Sequence, residues 1–256
     1  MEILFTQLSP VEMTLMASGI LCAAAMRAFT GFGFALMAVP LLSLFLLPTD
    51  AVVLVALLTL LTSLVTYRAW WGRFGLRDGL PMVGGSVVGT GVGVIFLTQL
   101  SLAQFQLWIG LIVIFLCLVL SRYRPQSHVG GPKIAAGTGT LSGLMNGAFA
   151  IPGPPVIIYA MACIPEPANS RGFLMAFFMM SSLISLTTFT VSGLVTTTPF
   201  HLLLLALPAM LVGDRLGTWL FLRIGGLAYR PVALAVSLGV GLAITVKALL
   251  AMGFIA

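Results

Sequence analysis

Charged residues are scarce in this 256-residue chain, where Asp, Glu, Lys and Arg together make up only 7% of the sequence. Soluble domains carry about 25% charged residues, because a folded surface that faces water needs them. Hydrophobic residues reach 60%. A chain of this composition cannot cover its surface with polar groups, so we exclude a soluble protein and expect a membrane protein.

Recognisable catalytic and metal-binding motifs are also missing. The three cysteines (Cys22, Cys117 and Cys163) stand alone in apolar runs, with no CxxC or Cys/His spacing. The sequence contains no HExxH, GxSxG or Walker A pattern. We therefore predict no enzyme activity, no metal site and no cofactor. The net charge of +6 is explained by the basic loops of a membrane protein rather than by nucleic-acid binding.

Long apolar runs are abundant instead. A spanning helix needs about 20 mainly apolar residues. Six runs meet this requirement, at about 50–68, 78–97, 103–121, 172–194, 199–222 and 230–252. Their length and continuity predict an all-α polytopic membrane protein.

Two further apolar regions, 11–47 and 133–164, are each interrupted near the middle. The interruptions read TGFGFALMAVP (30–40) and NGAFAIPGPP (146–155). Glycine and proline at these points disfavour a continuous helix. Each region is therefore predicted to be either a pair of helices folded into a broken hairpin or a broken span, and the basic residues favour the hairpin.

The basic residues predict the orientation in the membrane. If each hairpin returns to its starting side, nine Lys and Arg residues fall on one face, which the positive-inside rule makes cytoplasmic. They are Arg68, Arg73, Arg77, Arg122, Arg124, Lys133, Arg171, Arg223 and Arg230. The loops on the other face, at 48–50, 98–104 and 195–199, contain no Lys or Arg. Both termini are then predicted to be non-cytoplasmic.

Each half of the chain then consists of a broken hairpin followed by three transmembrane helices, so the second half is predicted to be inverted relative to the first. Repeat 1 covers about 11–121, the linker 122–132 and repeat 2 about 133–252. Inverted repeats with broken helices are typical of secondary transporters. Because the two halves must pack together, we expect a single transmembrane domain over 1–256.

The two breaks are the predicted site. A helix that begins inside the membrane directs its free N–H groups and positive dipole end at the gap, which favours an anion. The predicted substrate-binding residues are Arg27, Thr30, Gly31, Gly33, Asn146, Gly147, Pro152, Gly153, Pro154 and Arg215. Charges within the membrane cost about 2.5–3.5 kcal/mol each, so Arg27 or Arg215 is the predicted counter-charge. Asp214 is the predicted proton-coupling group, because a buried carboxylate can take up a proton; a structural ion pair is the alternative.

Two other patterns have structural explanations as well. Glycines at four-residue spacing (Gly85, Gly89 and Gly93, then Gly213 and Gly217) indicate close helix packing. Seven hydroxyl residues cluster in 181–192. They either line a path or donate back to helical carbonyls, and the sequence leaves both interpretations open.

Several motifs resemble those of one known family. GFGFALMAVP (31–40), PTDA (48–51), NGAFAIPGPPVIIY (146–159) and LPAMLVGDRLG (207–217) are similar to segments of the TauE/SafE membrane transporters, known as sulfite exporters. The resemblance extends over about 15–250. It implies transport of small anions with oxidised sulfur or carboxylate groups, such as sulfite and sulfoacetate.

We therefore expect a multi-pass secondary transporter of a bacterial inner membrane that exports such an anion by alternating access. The anion is predicted to lie between the two broken hairpins; proton coupling and a homodimer are left open. Uptake of a related anion, an intramembrane enzyme and a scaffold without a substrate are the alternatives. A scaffold predicts that Arg27→Ala and Arg215→Ala spare function, whereas replacement of Gly85 or Gly217 abolishes it.

Overall fold

All regular structure in the described part of the chain is helical. The computed structural model describes residues 9–30, 33–72, 74–122, 130–164, 166–224 and 229–253. Its helices are α1 (Pro10–Thr30), α2 (Phe34–Leu42), α3 (Pro48–Val65), α4 (Tyr67–Trp70), α5 (Leu76–Gln99), α6 (Leu102–Arg122), α7 (Pro132–Phe149), α8 (Gly153–Cys163), α9 (Pro167–Val191), α10 (Thr198–Ile224) and α11 (Tyr229–Ala251). The predicted fold class, an all-α polytopic membrane protein, is confirmed.

Six helices are long and apolar enough to cross a membrane, judged by length and composition. They are Pro10–Ala28, Pro48–Val65, Gly79–Gln99, Leu102–Val119, Asn169–Val191 and Thr198–Leu220. Five of these match predicted runs to within a few residues. The sixth predicted run forms α11, whose described apolar part, Ser237–Ala251, is shorter. The remaining candidate, Pro10–Ala28, is the first arm of the first predicted hairpin.

Both interrupted regions fold back on themselves, as predicted. In the first region, a Cβ on Gly19 of α1 would lie 3.1 Å from the side chain of Leu41, at the end of α2. In the second, a Cβ on Gly130, just before α7, would lie 3.3 Å from the Cβ of Cys163, the last residue of α8. Each short arm therefore runs back along its long arm: the end of α2 lies beside the middle of α1, and the end of α8 lies beside the residues just before α7.

The chain forms two compact units, each built from both halves of the sequence. Unit 1 comprises Met1–Val55, Leu100–Tyr123 and Thr196–Ala256. Unit 2 comprises Ala56–Gln99 and Arg124–Val195. The prediction of one transmembrane domain over the whole chain stays a prediction.

Unit 2 is organised around two helices in close contact. A Cβ on any of three glycines of α5 (Gly85, Gly89, Gly93) would collide with carbonyl oxygens of α7. A Cβ on any of three glycines of α7 (Gly139, Gly143, Gly147) would collide with carbonyl oxygens of α5. Residue numbers rise together along both helices, so α5 and α7 run parallel. The predicted role of the α5 glycines in close packing is confirmed, and α7 provides three matching glycines.

Unit 1 contains an equivalent pair. A Cβ on Gly213 of α10 would collide with the carbonyl of Leu21 on α1, and one on Gly217 with the carbonyl of Ala25. These contacts make α1 and α10 parallel too. In both units, then, the long arm of a hairpin lies along a long helix from the other half of the chain. The predicted inversion requires both parallel pairs, but the inversion itself stays a prediction.

Candidate functional site

The break in the second hairpin is irregular backbone buried inside unit 2. It consists of Ala150, Ile151 and Pro152, between the end of α7 and the start of α8, and all three residues are buried. Non-helical backbone at membrane depth is tolerated only where protein surrounds it or where it lines a cavity, because hydrocarbon offers no hydrogen bonds. This break meets that condition through protein contacts.

Local hydrogen bonds close the end of α7. Ala150 adopts a left-handed conformation, with φ of 52°. Its N–H donates to the carbonyl of Asn146 at 2.8 Å, and the N–H of Ile151 donates to that of Met145 at 3.4 Å. The first bond, made by a left-handed residue, commonly ends a helix, although glycine usually occupies that position; the second reaches one further residue back along α7. The hydroxyl of Ser142, two turns earlier, donates to the carbonyl of Pro152, so the break is tied to the arm that precedes it.

Asn146 connects the hairpin to α9. It lies in the last turn of α7 and is 3% exposed. Its Nδ2 donates to the backbone carbonyl of Ser181 at 2.9 Å. The same part of α9 flanks the break itself, since a Cβ on Gly153 would lie 3.7 Å from the ring of Phe178. The structure thus places Asn146, Pro152 and Gly153 at the same break, beside α9; their predicted role in binding stays a prediction.

The beginning of α8 has fewer free backbone donors than an ordinary helix start. A helix leaves its first four N–H groups without intrahelical partners. Here the second and third residues, Pro154 and Pro155, have no N–H. Only Gly153 and Val156 can offer backbone donors in this turn. The prolines set the helix start, as predicted, but they also weaken the backbone anion site expected there.

The start of α2, after the break in the first hairpin, has no proline to remove a backbone donor. Helix α2 begins at Phe34 without proline in its first turn, and Gly33 before it has a φ of 98°, which favours glycine. Arg27 lies half-buried in the last turn of α1, where a cation also interacts favourably with the helix dipole. Gly31 and the side chain of Thr30 lie outside the described residues.

Arg27 and Asp214 belong to the same pair of packed helices. With Gly217 beside Ala25, the two charged residues are offset by five positions, about 7.5 Å along the helix axes at 1.5 Å per residue. Asp214 is half-buried, whereas Arg215 is exposed on the surface of α10. The structure therefore places Arg27 and Asp214 on two packed helices at levels about 7.5 Å apart, whereas the side chain of Arg215 is exposed.

Gly147 has a packing function that its predicted binding role did not anticipate. Its missing side chain lets α7 approach the carbonyl of Thr90 on α5. That contact alone requires glycine at this position. A role in binding stays a prediction.

Three polar residues were missed as candidates. Ser142 and Ser181 hold the second break, and Asp50, buried at 7% exposure, accepts a hydrogen bond of 2.6 Å from the hydroxyl of Thr196. Ser181 was visible only as one of seven clustered hydroxyls. Asp50 is the acidic residue of the PTDA motif, and that motif was its signal in the sequence. No local pattern indicated that Thr196 would be its partner.

The sequence profile of the sulfite exporter TauE/SafE proteins matches residues 15–244 of the chain. The chain belongs to the TauE/SafE sulfite exporter family. The match begins within α1 and ends within α11, so it includes both broken hairpins and every helix between them. No curated protein and no solved structure matches the chain. Membership of the TauE/SafE family confirms the resemblance noted in the motifs and makes the protein a membrane transporter of the sulfite and anion exporter type.

Proposed function

We propose that this protein exports sulfite or a small organosulfonate, such as sulfoacetate, across a bacterial inner membrane by alternating access. The observation that carries the proposal is the buried break at 150–152 in a member of a sulfite exporter family. Irregular backbone between half-helices is where secondary transporters bind their substrates.

The surroundings of this break suit an anion that must be released again. Asn146 provides a neutral amide, and two backbone N–H groups remain at the start of α8. Neutral donors stabilise an oxyanion through hydrogen bonds without a buried countercharge that would hold it permanently. Arg27, at the other hairpin, is the proposed positive charge that attracts the anion into the membrane.

Flux through reconstituted protein tests the proposal. Liposomes that contain the protein and are loaded with labelled sulfite or sulfoacetate should release either anion faster than loaded vesicles without protein. Release should accelerate when the potential is negative on the side of the anion, because one charge gains about 2.3 kcal/mol per 100 mV. If no small anion leaves faster than it does from vesicles without protein, the proposal is contradicted and a scaffold is favoured.

Asn146→Asp tests the site itself. The change puts a negative charge beside the anion and removes the donor to Ser181, so we expect at least tenfold slower flux from a folded protein. Asn169 provides the matched control, because it is exposed at the start of α9 and bonds only to nearby Glu166 among the contacts described. Asn169→Asp should keep flux close to that of the unchanged protein.

Proton coupling through Asp214 has its own test. If Asp214 carries the proton, Asp214→Asn should abolish the acceleration of flux by an imposed pH gradient while anion exchange continues. If the pH gradient accelerates flux equally in Asp214→Asn, a group other than Asp214 carries the proton.

A further inference from the structure

Most hydroxyl side chains on the helices of unit 2 donate to a carbonyl about one turn earlier. Examples are Thr62, Ser63, Ser182, Ser185 and Thr188. Three buried serine and threonine hydroxyls have neither this bond nor any other that the structure describes. Ser86, Thr90 and Ser181 are fully buried, and their hydroxyl oxygens form no hydrogen bond with any residue that the structure describes. Buried polar groups almost always have partners, so these exceptions need an explanation.

The three hydroxyl residues lie on the two helices, α5 and α9, that pack against the end of α7 leading to the second break. Ser86 and Thr90 lie one turn apart on α5, and their carbonyls contact Gly143 and Gly147 of α7. Ser181 lies on α9 and accepts the hydrogen bond of Asn146 through its carbonyl. Helix α9 packs against both α5 and α7. The turn of α7 between Gly143 and Gly147, which contains Asn146, therefore has an unpartnered hydroxyl residue on each neighbouring helix.

We infer that Ser86, Thr90 and Ser181 donate hydrogen bonds to the oxygen atoms of the transported anion when it reaches the second break. The inference rests on the proposed function and names its ligand chemistry: a sulfite or sulfonate group, whose three oxygens accept one donor each. A hydroxyl group has one hydrogen to donate, and bonds to a charged acceptor are the strong ones. These side chains also replace the backbone donors that Pro154 and Pro155 remove from the first turn of α8.

Three substitutions, each with a matched control in unit 2, test the inference. The test variants are Ser86→Ala, Thr90→Val and Ser181→Ala; their controls are Ser63→Ala, Thr62→Val and Ser185→Ala. Each control removes a buried hydroxyl of the same type that does have a partner. Flux of labelled sulfite, its KM and the thermal midpoint of the purified protein are measured for all six.

We expect each test variant to raise the KM for sulfite at least fivefold without lowering the thermal midpoint, because removing an unpartnered hydroxyl leaves no partner behind. The concentration of sulfoacetate that halves sulfite flux should rise in parallel. Controls should keep their KM within twofold and lower the midpoint slightly. Thr90→Ser, which retains the donor, should restore the original KM.

The outcomes separate the two proposals. If the unchanged protein moves no anion, the proposed function fails and the hydroxyl site fails with it. If the unchanged protein moves sulfite and the test variants match their controls in KM, only the hydroxyl site is overturned. A raised KM accompanied by an equally lowered midpoint in the test variants also overturns it, because packing then explains both changes.

Discussion

The hydroxyl of Thr196 donates a hydrogen bond of 2.6 Å to the carboxylate of Asp50, 146 residues earlier in the chain. Asp50 lies in the first turn of α3, shortly after the first hairpin, and Thr196 lies in the connection before α10. Both residues belong to unit 1. This bond therefore joins two predicted non-cytoplasmic loops, at 48–50 and 195–199, that are distant in sequence.

Loss of this bond should destabilise unit 1. Thr196→Val keeps the shape of the side chain but leaves an oxygen of buried Asp50 without its donor, so we expect a loss of about 1–2 kcal/mol, seen as a lower thermal midpoint in detergent. Thr197→Val, the exposed neighbour, should change stability by less than about 0.5 kcal/mol. The loss of stability in Asp50→Asn should lie between the losses in the two threonine variants, since an amide oxygen still accepts the bond. Equal midpoints for both threonine variants would contradict the assignment.

The glycine contacts between α5 and α7 should tolerate no side chain. In Gly143→Ala, the new methyl group would collide with the backbone carbonyl of Ser86, which cannot move independently of its helix. We expect a loss of about 1–3 kcal/mol and lower yield of folded protein. Gly84→Ala, on the same helix as Ser86 but with open space around its Cα, should be neutral or stabilising by up to about 1 kcal/mol. Similar behaviour of the two variants, measured by thermal unfolding, would refute the packing explanation.

Arg27 and Arg215 differ enough in burial to be separated by experiment. Half-buried Arg27, near a helix break, should be required for flux, so Arg27→Gln should slow sulfite release at least tenfold in liposomes. Arg215→Gln tests the other predicted counter-charge, although its side chain is exposed. Arg223→Gln is the control, because Arg223 lies at the end of α10 with its guanidinium 4.5 Å from the ring centre of Trp219. Full activity of Arg27→Gln would remove Arg27 from the site.

The predicted orientation can be measured by labelling single cysteines. In a background in which Cys22, Cys117 and Cys163 are alanine, Thr197→Cys should react with a membrane-impermeant maleimide in intact cells. Lys133→Cys should react only after the cells are permeabilised, because the positive-inside rule places its loop in the cytoplasm. Both positions are exposed. Labelling of both from the same side would disprove the predicted topology.

The positions of helices and breaks were predictable because they depend on neighbouring residues. Hydrophobic length sets where a helix can cross a membrane, and glycine and proline mark where it cannot continue. In the structure, accordingly, one helix ends at Thr30 and the next begins at Phe34, and another ends at Phe149 and the next begins at Gly153, inside the two predicted interruptions. Asn146, Gly147 and the prolines could be chosen as candidate residues for the same reason, since they lie at the interruption itself.

The functions of individual residues at the breaks were less predictable. Whether Gly147 faces a ligand or a helix depends on Thr90 and Val94 of α5, which lie more than fifty residues earlier in sequence. Among seven similar hydroxyls on and after α9, only Ser181 is both buried and without a described partner, and this depends on the packing of three helices. The exposure of Arg215 follows from which face of α10 meets α1, because Gly213 and Gly217 occupy the contact.

Composition and local pattern by themselves therefore determined a helical membrane protein with two broken hairpins and, through its motifs, a transporter family. Tertiary structure alone decided that each unit combines helices from both halves of the chain, that Thr196 bonds to Asp50, and that Ser86, Thr90 and Ser181 lie buried near one break. The physical reason is the distance along the chain over which each interaction acts. Hydropathy and backbone preference act over a few residues, whereas a hydrogen bond or a glycine contact between helices depends on chain segments brought together only by folding.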